Sequence, residues 1–412
     1  AIGYAYSMAT KSKILTGEKT IREFLTRAVE NVYPSREALE KRLLSGKRMT
    51  VYLGVDPTGP ALHFGHAISL RMLGTLQRMG HGVTLLIGDF TAMIGDPTDK
   101  AAVRKPLTRE EVLVNCKQYK KQASAFLSFD GHNAAELKFN SEWLAPLTFA
   151  ELLPLAAHFT VQQMIQRDMF KRRIEEEKPI HLHEFLYPLM QGYDSVAMDV
   201  DMEVGGNDQT FNMLAGRTLM KEMKNKDKFV LATKLLVDPT GKKMGKSEGN
   251  MITLGDDPND MYGKVMSWTD GMIVSGFELC TNVPMDEVQE IATAIDDGEN
   301  PIVFKHRLAQ EVVRTFVGDA EGAAAHEHFI KIHKEHVQPD EIPEFKVKGA
   351  GKKISLVDAL ILANLVKSKT EARQQIKQGG VRVDGAVVSD EKAEIQKPAV
   401  IQKGKRHFAK IV

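Results

Sequence analysis

From Thr20 to Val32 the apolar residues are Ile21, Phe24, Leu25, Ala28, Val29 and Val32, the spacing of a helix with one buried face. Ser35 can cap a second helix over Arg36 to Ser45, which Gly46 ends. The pattern changes at Met49. Met49 to Val55 is an apolar, β-branched run that predicts a buried strand, and Asp56-Pro57-Thr58-Gly59-Pro60 breaks it. Phe64 to Arg78 then returns to helical spacing through Phe64, Ile68, Leu70, Met72, Leu73 and Leu76. Gly80-His81-Gly82 turns the chain into a second buried strand, Val83 to Ile87. Strand, helix and strand joined by short turns imply a parallel pair and an α/β sheet.

Thr108 with Glu111 makes a capping box for a helix running towards Ser128. Residues 129–180 read as an inserted, mostly helical segment and a natural place for a dimer contact. Its charge runs, Lys171-Arg172-Arg173 and Glu175-Glu176-Glu177, read as exposed faces. Asp201 to Val204 predicts a strand and Phe211 to Met223 a helix. Asp257-Pro258 opens a helical region reaching about His336, and Gln338 to Lys353, with two prolines and two glycines among charges, reads as a linker. The terminal module carries two predicted capping boxes, Ser355 with Asp358 and Ser368 with Glu371. Gly379-Gly380 ends its second helix, and Asp384-Gly385 makes a hairpin between Val381-Arg382-Val383 and Ala386-Val387-Val388.

Composition narrows the class. The chain has 412 residues, 43% of them hydrophobic and 26% charged, ordinary for a globular protein of two or three domains. No apolar run approaches the length that crosses a bilayer. The opening AIGYAYSM has neither the basic region nor the apolar core of a secretory signal and reads as a remnant before Met8. Cys116 and Cys280, far apart and outside any CxxC, argue against a disulfide scaffold or zinc knuckle and for a reducing compartment, the cytoplasm. Net charge is +1, but Lys346 to Val412 holds fifteen Lys or Arg against six Asp or Glu, a surplus of nine that leaves the preceding residues at −8. A basic tail module on an acidic body points to a polyanionic partner.

Candidate chemistry concentrates in three stretches. Where the first strand turns into its helix, unpaired N–H groups and the positive end of the helix dipole face outward, the setting of a phosphate site. Here stand His63 and His66 with Gly65 between them, two imidazoles able to donate to a triphosphate and its ribose. In the second stretch Tyr187, Gln191 and Asp194 are spaced four and three apart, so on a helix they share one face. A phenol, an amide and a carboxylate among apolar neighbours suit a pocket for a small zwitterion. Beyond it, Gly205-Gly206-Asn207-Asp208 at a strand-to-helix turn leaves Asp208 for ribose hydroxyls. The third is the loop Lys242 to Ser247, where Lys243 and Lys246 flank Gly245 and can converge on one pyrophosphate. Asp96, in the turn Gly95-Asp96-Pro97, can accept from an ammonium, and Lys100, Arg104 and Lys105 follow in a polar loop.

The stretch HFGH at His63 to His66 resembles the HIGH signature of class I aminoacyl-tRNA synthetases, and KMGKS at Lys243 to Ser247 resembles their KMSKS loop. SKTEARQQIKQGGVRVDG resembles the alpha-L RNA-binding motif of a small-subunit ribosomal protein, placing Lys369, Arg373, Lys377 and Arg382 along one phosphate-contacting edge. Taken in this order and separation, the motifs resemble the bacterial-type tyrosyl-tRNA synthetases from about Thr20 to Val412. The resemblance implies an α/β fold: an N-terminal extension 1–19, a Rossmann-like parallel-sheet catalytic domain 20–255, an α-helical anticodon-recognition domain 256–337, the linker 338–353, and a small α+β RNA-binding domain 354–412. It further implies that L-tyrosine and ATP form tyrosyl-adenylate and pyrophosphate, and that tyrosine then passes to the terminal ribose of tRNA(Tyr), with Mg²⁺ arriving on the ATP, no metal held by a dedicated cage, no membrane partner, and a homodimer.

By the same resemblance Tyr52 and Asp194 hold the substrate phenol, Asp96, Tyr187 and Gln191 its ammonium, and Gln209 lines the same pocket. Gly54, Asp56, His66, Gly206 and Asp208 match adenylate contacts. Thr58, His63, Lys243, Lys246 and Ser247 match pyrophosphate contacts, and Lys100 and Arg104 match mobile-loop positions that act in activation. Two other readings stand beside this one: a tryptophan-activating relative, and an RNA-binding protein that keeps the fold without catalysis.

Overall fold

The computed structural model describes residues 13–98, 107–241, 251–334, 342–346, 353–404 and 407–412. Its centre is a six-stranded sheet of β1 (Val29–Tyr33), β2 (Thr50–Val55), β3 (Gly82–Ile87), β4 (Glu136–Phe139), β5 (Met202–Gly206) and β6 (Phe229–Thr233), in the order β1-β6-β5-β2-β3-β4. Every neighbouring pair is parallel except β1 with β6. The strand order reverses between β2 and β5, and there the ladder is short: only Val51 with Met202 and Tyr52 with Glu203 are in register. A crevice at the C-terminal ends of such a reversal is where open parallel sheets bind ligands.

Alternation along β2 sorts its side chains. Val51, Leu53 and Val55 join the main core with α1 (Glu18–Thr26), α2 (Arg36–Leu44) and α3 (Phe64–Arg78). Tyr52, on the opposite face, packs with Leu86, Val200, Trp143 and Met198, beside the helix α11 described below. Ser35 caps α2, its side chain accepting from Ala38 N–H, an interaction of about 1 kcal/mol. After β3 come α4 (Thr91–Ile94), α5 (Arg109–Cys116) and α6 (Tyr119–Ala123). The Thr108–Glu111 capping box is present, but the helix it opens ends at Cys116 and does not run on to Ser128.

The structure departs from the sequence reading elsewhere too. The helix expected over Thr20 to Val32 stops at Thr26, and Val29–Tyr33 is the edge strand β1. Ala28 takes φ +59, and the Arg27 guanidinium donates to the carbonyls of Phe277, Glu278, Thr281 and Val283 around the C-terminal end of a later helix. Those tertiary bonds fix the turn against local helical spacing. The segment 129–180 is not helical throughout: β4 extends the sheet beside β3, and the helices α7 (Ser141–Leu144), α8 (Phe149–Ala157), α9 (Val161–Ile165) and α10 (Asp168–Glu175) follow it. Arg173, expected on an exposed face, is buried in an ion pair with Glu184 at 2.5 Å.

The long helices α11 (Leu182–Met198) and α12 (Thr210–Lys224) pack side by side, brought close by Gly192, where a Cβ would lie 3.2 Å from the Gly216 backbone. Then come α13 (Pro258–Met266), α14 (Ile273–Cys280), α15 (Met285–Asp296), α16 (Pro301–Phe316) and α17 (Asp319–Lys334). Contacts divide the chain into two compact units, Ala1–Ala323 and Ala324–Val412. The helical region expected as a separate domain from residue 256 thus lies, for most of its length, in the same unit as the sheet.

The second unit has a five-stranded sheet of β7 (Glu344–Phe345), β9 (Val381–Val383), β10 (Ala386–Val387), β12 (Ala399–Lys403) and β13 (His407–Ile411), a two-stranded sheet of β8 (Lys353–Ser355) and β11 (Glu394–Gln396), and the helices α18 (Leu356–Leu362) and α19 (Lys369–Lys377). Its core centres on Leu356, Leu360, Ile376, Val381, Ile401 and Ile411. The stretch expected as a linker contributes β7, parallel to β13. Ser368 accepts from Glu371 N–H as its capping box requires, whereas Ser355 makes no side-chain cap bond. Asp384 (φ +46) and Gly385 (φ +85) form the tight turn expected of the hairpin.

Candidate active site

At the β2–β5 reversal lies a cavity of about 330 Å³. Its lining includes Tyr52, Gly54, Asp56, Thr58, His63, His66, Asp96, Tyr187, Gln191, Asp194, Gly206, Asp208 and Gln209, every described candidate of the sheet-bearing unit. Lys100, Arg104, Lys243, Lys246 and Ser247 lie outside the described residues. The chain on either side of the two loops that carry them does reach this place. Thr98 lines the cavity, while Leu236, Met251 and Ile252 lie against His63 and Gly65. Phe64 N–H donates to Ile252 carbonyl (3.1 Å) and Leu254 N–H to Leu62 carbonyl (2.8 Å), so the segment following the lysine loop is tied to the HFGH turn by a single antiparallel bridge at His63 and Thr253.

The two histidines are set by the helix start itself. His63 is the cap of α3, and Gly65 N–H donates to its Nδ1 at 3.1 Å, while His63 N–H donates to His66 Nδ1 at 3.3 Å. Burial pushes His63 down to about 4 and His66 well below its ordinary value, so both rings are neutral at pH 7. With each Nδ1 accepting, the single ring hydrogen sits on Nε2. The rings stack at 3.8 Å, and a Cβ on Gly65 would meet His63 Cε1 at 2.9 Å. Gly65 therefore makes room for the His63 ring, a nearer cause than close approach of a ligand.

The opposite end is built from side chains. Asp56 accepts from Thr91 Oγ1 (2.7 Å) and from Tyr187 Oη (2.8 Å), locking α11 to the end of β2. Asp96 accepts from Gln209 Nε2 (2.7 Å) and from Thr98 N–H and Oγ1. Asp194 is 3% exposed, with Trp143 Nε1 donating at 2.7 Å and Asn140 Nδ2 at 3.3 Å. Burial holds its carboxyl well above the usual range, against the pull of those two donors. Asp208 is raised to about 6 by burial and then by Asp96. A Cβ at Gly206 would come 2.5 Å from Asp208 Oδ1, which explains the glycine there.

Sequence reasoning missed Asn140, at the start of α7, Trp143 within that helix, and the buried pair Glu203–Lys228. Gln191 Nε2 donates to Glu203 Oε1 at 3.0 Å, and Glu203 lines the cavity. A charge inside the otherwise apolar strand β5 was the available signal, since a buried carboxylate demands a partner. A larger cavity of about 580 Å³ lies among α1, α3 and α14. Its Arg27 and Arg71 already serve the carbonyls of Phe277 to Leu279 at the end of α14.

In the second unit, Lys369, Arg373 and Lys377 ride on α19 and Arg382 on β9, the helix–hairpin arrangement expected of them. Lys369 forms an exposed ion pair with Asp358 at 2.9 Å, and Arg382 reaches Gly385 carbonyl.

Comparison with known proteins agrees with this geometry. Residues 44–334 match the family model of class I tRNA synthetases (W and Y), and residues 335–411 match that of the tyrosine–tRNA ligase SYY-like C-terminal domain. The chain is 42% identical to the tyrosine–tRNA ligase of Haemophilus ducreyi over 94% of its own length and 96% of the relative's, and 44% identical to that of Geobacter sulfurreducens over 91% and 93%. Among solved structures, a C-terminally truncated mitochondrial tyrosyl-tRNA synthetase of Coccidioides posadasii superposes with TM-score 0.61 at 26% identity, covering 76% of this chain and 91% of that one. The Archaeoglobus fulgidus tyrosyl-tRNA synthetase, at 20% identity and TM-score 0.58, shares the fold over 75% of this chain and 99% of its own. The chain therefore belongs to the class I tRNA synthetases of the tryptophan and tyrosine group, and within that group to the tyrosine–tRNA ligases.

Proposed function

We propose that the cavity binds L-tyrosine with its phenol at Asp194 and Tyr52 and its ammonium among Asp96, Tyr187 and Gln191, and binds ATP across the HFGH turn with its ribose at Asp208. The carboxylate of tyrosine is a nucleophile at neutral pH and needs no general base. It attacks the α-phosphorus in line; the new C–O–P bond forms as the bond to pyrophosphate breaks. Charge crowding at the phosphates is the barrier, so acceleration comes from donors that grip the five-coordinate phosphorus and departing pyrophosphate more tightly than ground-state ATP. The Nε2–H groups of His63 and His66, the Thr58 hydroxyl, and Lys243, Lys246, Lys100 and Arg104 fill that role, with Gly54 and Gly206 leaving space for the nucleotide, Ser247 and Asp56 assisting, and Gln209 bracing Asp96. The metal arrives as MgATP; among the described residues no group of three or more His, Cys, Asp or Glu is placed to hold an ion. The adenylate then passes tyrosine to the 3′-terminal ribose of tRNA(Tyr), and Lys369, Arg373, Lys377 and Arg382 contact the RNA backbone.

One observation carries this reading: a single cavity joins two neutral imidazoles at a helix start to a buried carboxylate braced by Trp143 and Asn140. We further infer a homodimer joined through the helices after β4, where Phe149, Leu153, Val161, Ile174 and Leu182 are all more than half exposed. Among the described residues no helix is long and apolar enough to cross a membrane, and both thiols are free, in keeping with work in the cytoplasm. The test is tyrosine-dependent exchange of labelled pyrophosphate into ATP, with phenylalanine and tryptophan in parallel and sedimentation in the same buffer. Exchange with tyrosine alone, from a species of twice the chain mass, is expected. Exchange with tryptophan alone moves the assignment to the sister enzymes, and folded protein with no exchange moves it to RNA binding without catalysis.

A further inference from the structure

Behind the amino-acid end of the cavity a cation is buried. Lys228, at the foot of β6, is fully enclosed, and its ammonium enters the space between α11 and α12. Gly216 opens that space: a Cβ there would come 2.5 Å from Lys228 Nζ and 2.7 Å from Ser195 Oγ. The ammonium has three partners for its three hydrogens. It pairs with Glu203 and donates to Ser195 Oγ at 2.7 Å and to Met213 carbonyl at 3.2 Å. Neither Lys228 nor Ser195 lines the cavity.

An ammonium only donates, so Ser195 Oγ accepts from it and must send its own hydrogen elsewhere. The partner in reach is Tyr52 Oη at 3.0 Å, itself fully buried on the neighbouring strand. If Tyr52 Oη accepts from Ser195, its own hydrogen remains for the acceptors on its other side, the Glu203 carboxylate and an oxygen in the cavity, which Tyr52 does line. Asp194, with Trp143 and Asn140 donating to it, is the acceptor in the same cavity. A ligand atom held by both must accept from Tyr52 and donate to Asp194. A hydroxyl does both, and an aromatic C–H does neither.

We propose that Lys228 is a positioning residue for the substrate phenol: acting through Ser195, it fixes the Tyr52 hydroxyl as a donor, so that the pocket demands a group that accepts and donates at once. This rests on the tyrosine-activating reading of the cavity. A neutral amide at 228 could either give or take a hydrogen bond. The Ser195–Tyr52 bond would then be free to reverse, and Tyr52 would spend its hydrogen on Ser195.

The test compares wild type, Ser195→Ala and Lys228→Gln in pyrophosphate exchange with tyrosine and with phenylalanine. Ser195→Ala keeps the Lys228–Glu203 pair and removes one oxygen from the chain, so it is the variant expected to fold without difficulty. We expect KM for tyrosine to rise about two- to threefold, since Tyr52 Oη loses the donor that polarises its own hydrogen toward the substrate, with KM for ATP and the phenylalanine kcat/KM unchanged. Lys228→Gln is expected to act in the same direction, and the double variant to be no worse than the poorer single one, because both act through one chain. Equal losses for tyrosine and phenylalanine, or an unchanged ratio between them in Ser195→Ala, overturn the proposal while wild-type preference for tyrosine keeps the underlying assignment. A wild-type protein with no such preference overturns both.

Discussion

At the end of the cavity proposed for the phosphates, the described histidines are neutral and come from one short turn: two stacked imidazoles whose Nδ1 atoms are tied to backbone N–H groups of the same helix start. At the end proposed for the amino acid the lining groups are carboxylates, or are paired with carboxylates, and come from β2, the turn after α4, α11 and β5. The first arrangement suits a ligand that brings its own negative charge, since it supplies preorganised donors held by the helix start itself. The second suits a small zwitterion with one hydroxyl, where a buried acceptor left empty is costly and so discriminates. Tyrosine enzymes of this kind are the standing example of that discrimination.

The largest effect is expected where the second arrangement is broken. In Asp194→Ala the substrate hydroxyl loses its acceptor, and Trp143 and Asn140 lose theirs. Together these are worth about 3–4 kcal/mol, so tyrosine kcat/KM should fall roughly 10²- to 10³-fold while KM for ATP stays within about twofold. Equal losses for both substrates would mean that Asp194 holds the fold and not the phenol. The next effect belongs to the other end. His63→Ala removes one preorganised donor to developing phosphate charge, and kcat for exchange should drop about 10²-fold with KM for tyrosine unmoved. The same change deletes the cap of α3, at about 1 kcal/mol of stability, so urea titration must accompany the kinetics. A drop in kcat no larger than the lost folded fraction would remove His63 from the reaction.

The same contrast explains what could be read from the sequence. The HFGH turn is local: four residues carry the histidines, the cap and the glycine that makes room for the ring, so strand, turn and helix were legible together. Tyr187, Gln191 and Asp194 were legible because helical spacing alone puts them on one face. What braces them was not. Asn140 and Trp143 follow a four-residue strand too short to stand out from the helices after it, and Val29 and Val32 of β1 continue the helical spacing of α1 although Ala28 turns the chain at positive φ between them. Arg173, in a run of like charges, gave no hint of the Glu184 that buries it, because that partner comes from the next helix. Glu203 did announce itself as a charge in an apolar strand, but only the fold reveals Lys228 as its partner.

A subtler probe lies where the two ends meet. Asp208 is the carboxylate proposed to receive the ribose hydroxyls, and burial together with Asp96 raises it to about 6. Above that pH it is ionised and accepts strongly; below it the protonated group loses both its charge and part of its accepting capacity. KM for ATP should therefore rise severalfold as pH falls from 7.5 to about 5.5, with the inflection near 6. His63, at about 4, remains neutral through this range and does not supply the inflection, and burial moves His66 in the same direction. In Asp208→Asn, KM for ATP should be higher at every pH and flat across the window. An inflection that survives in Asp208→Asn would belong to another group and would remove Asp208 from the ribose.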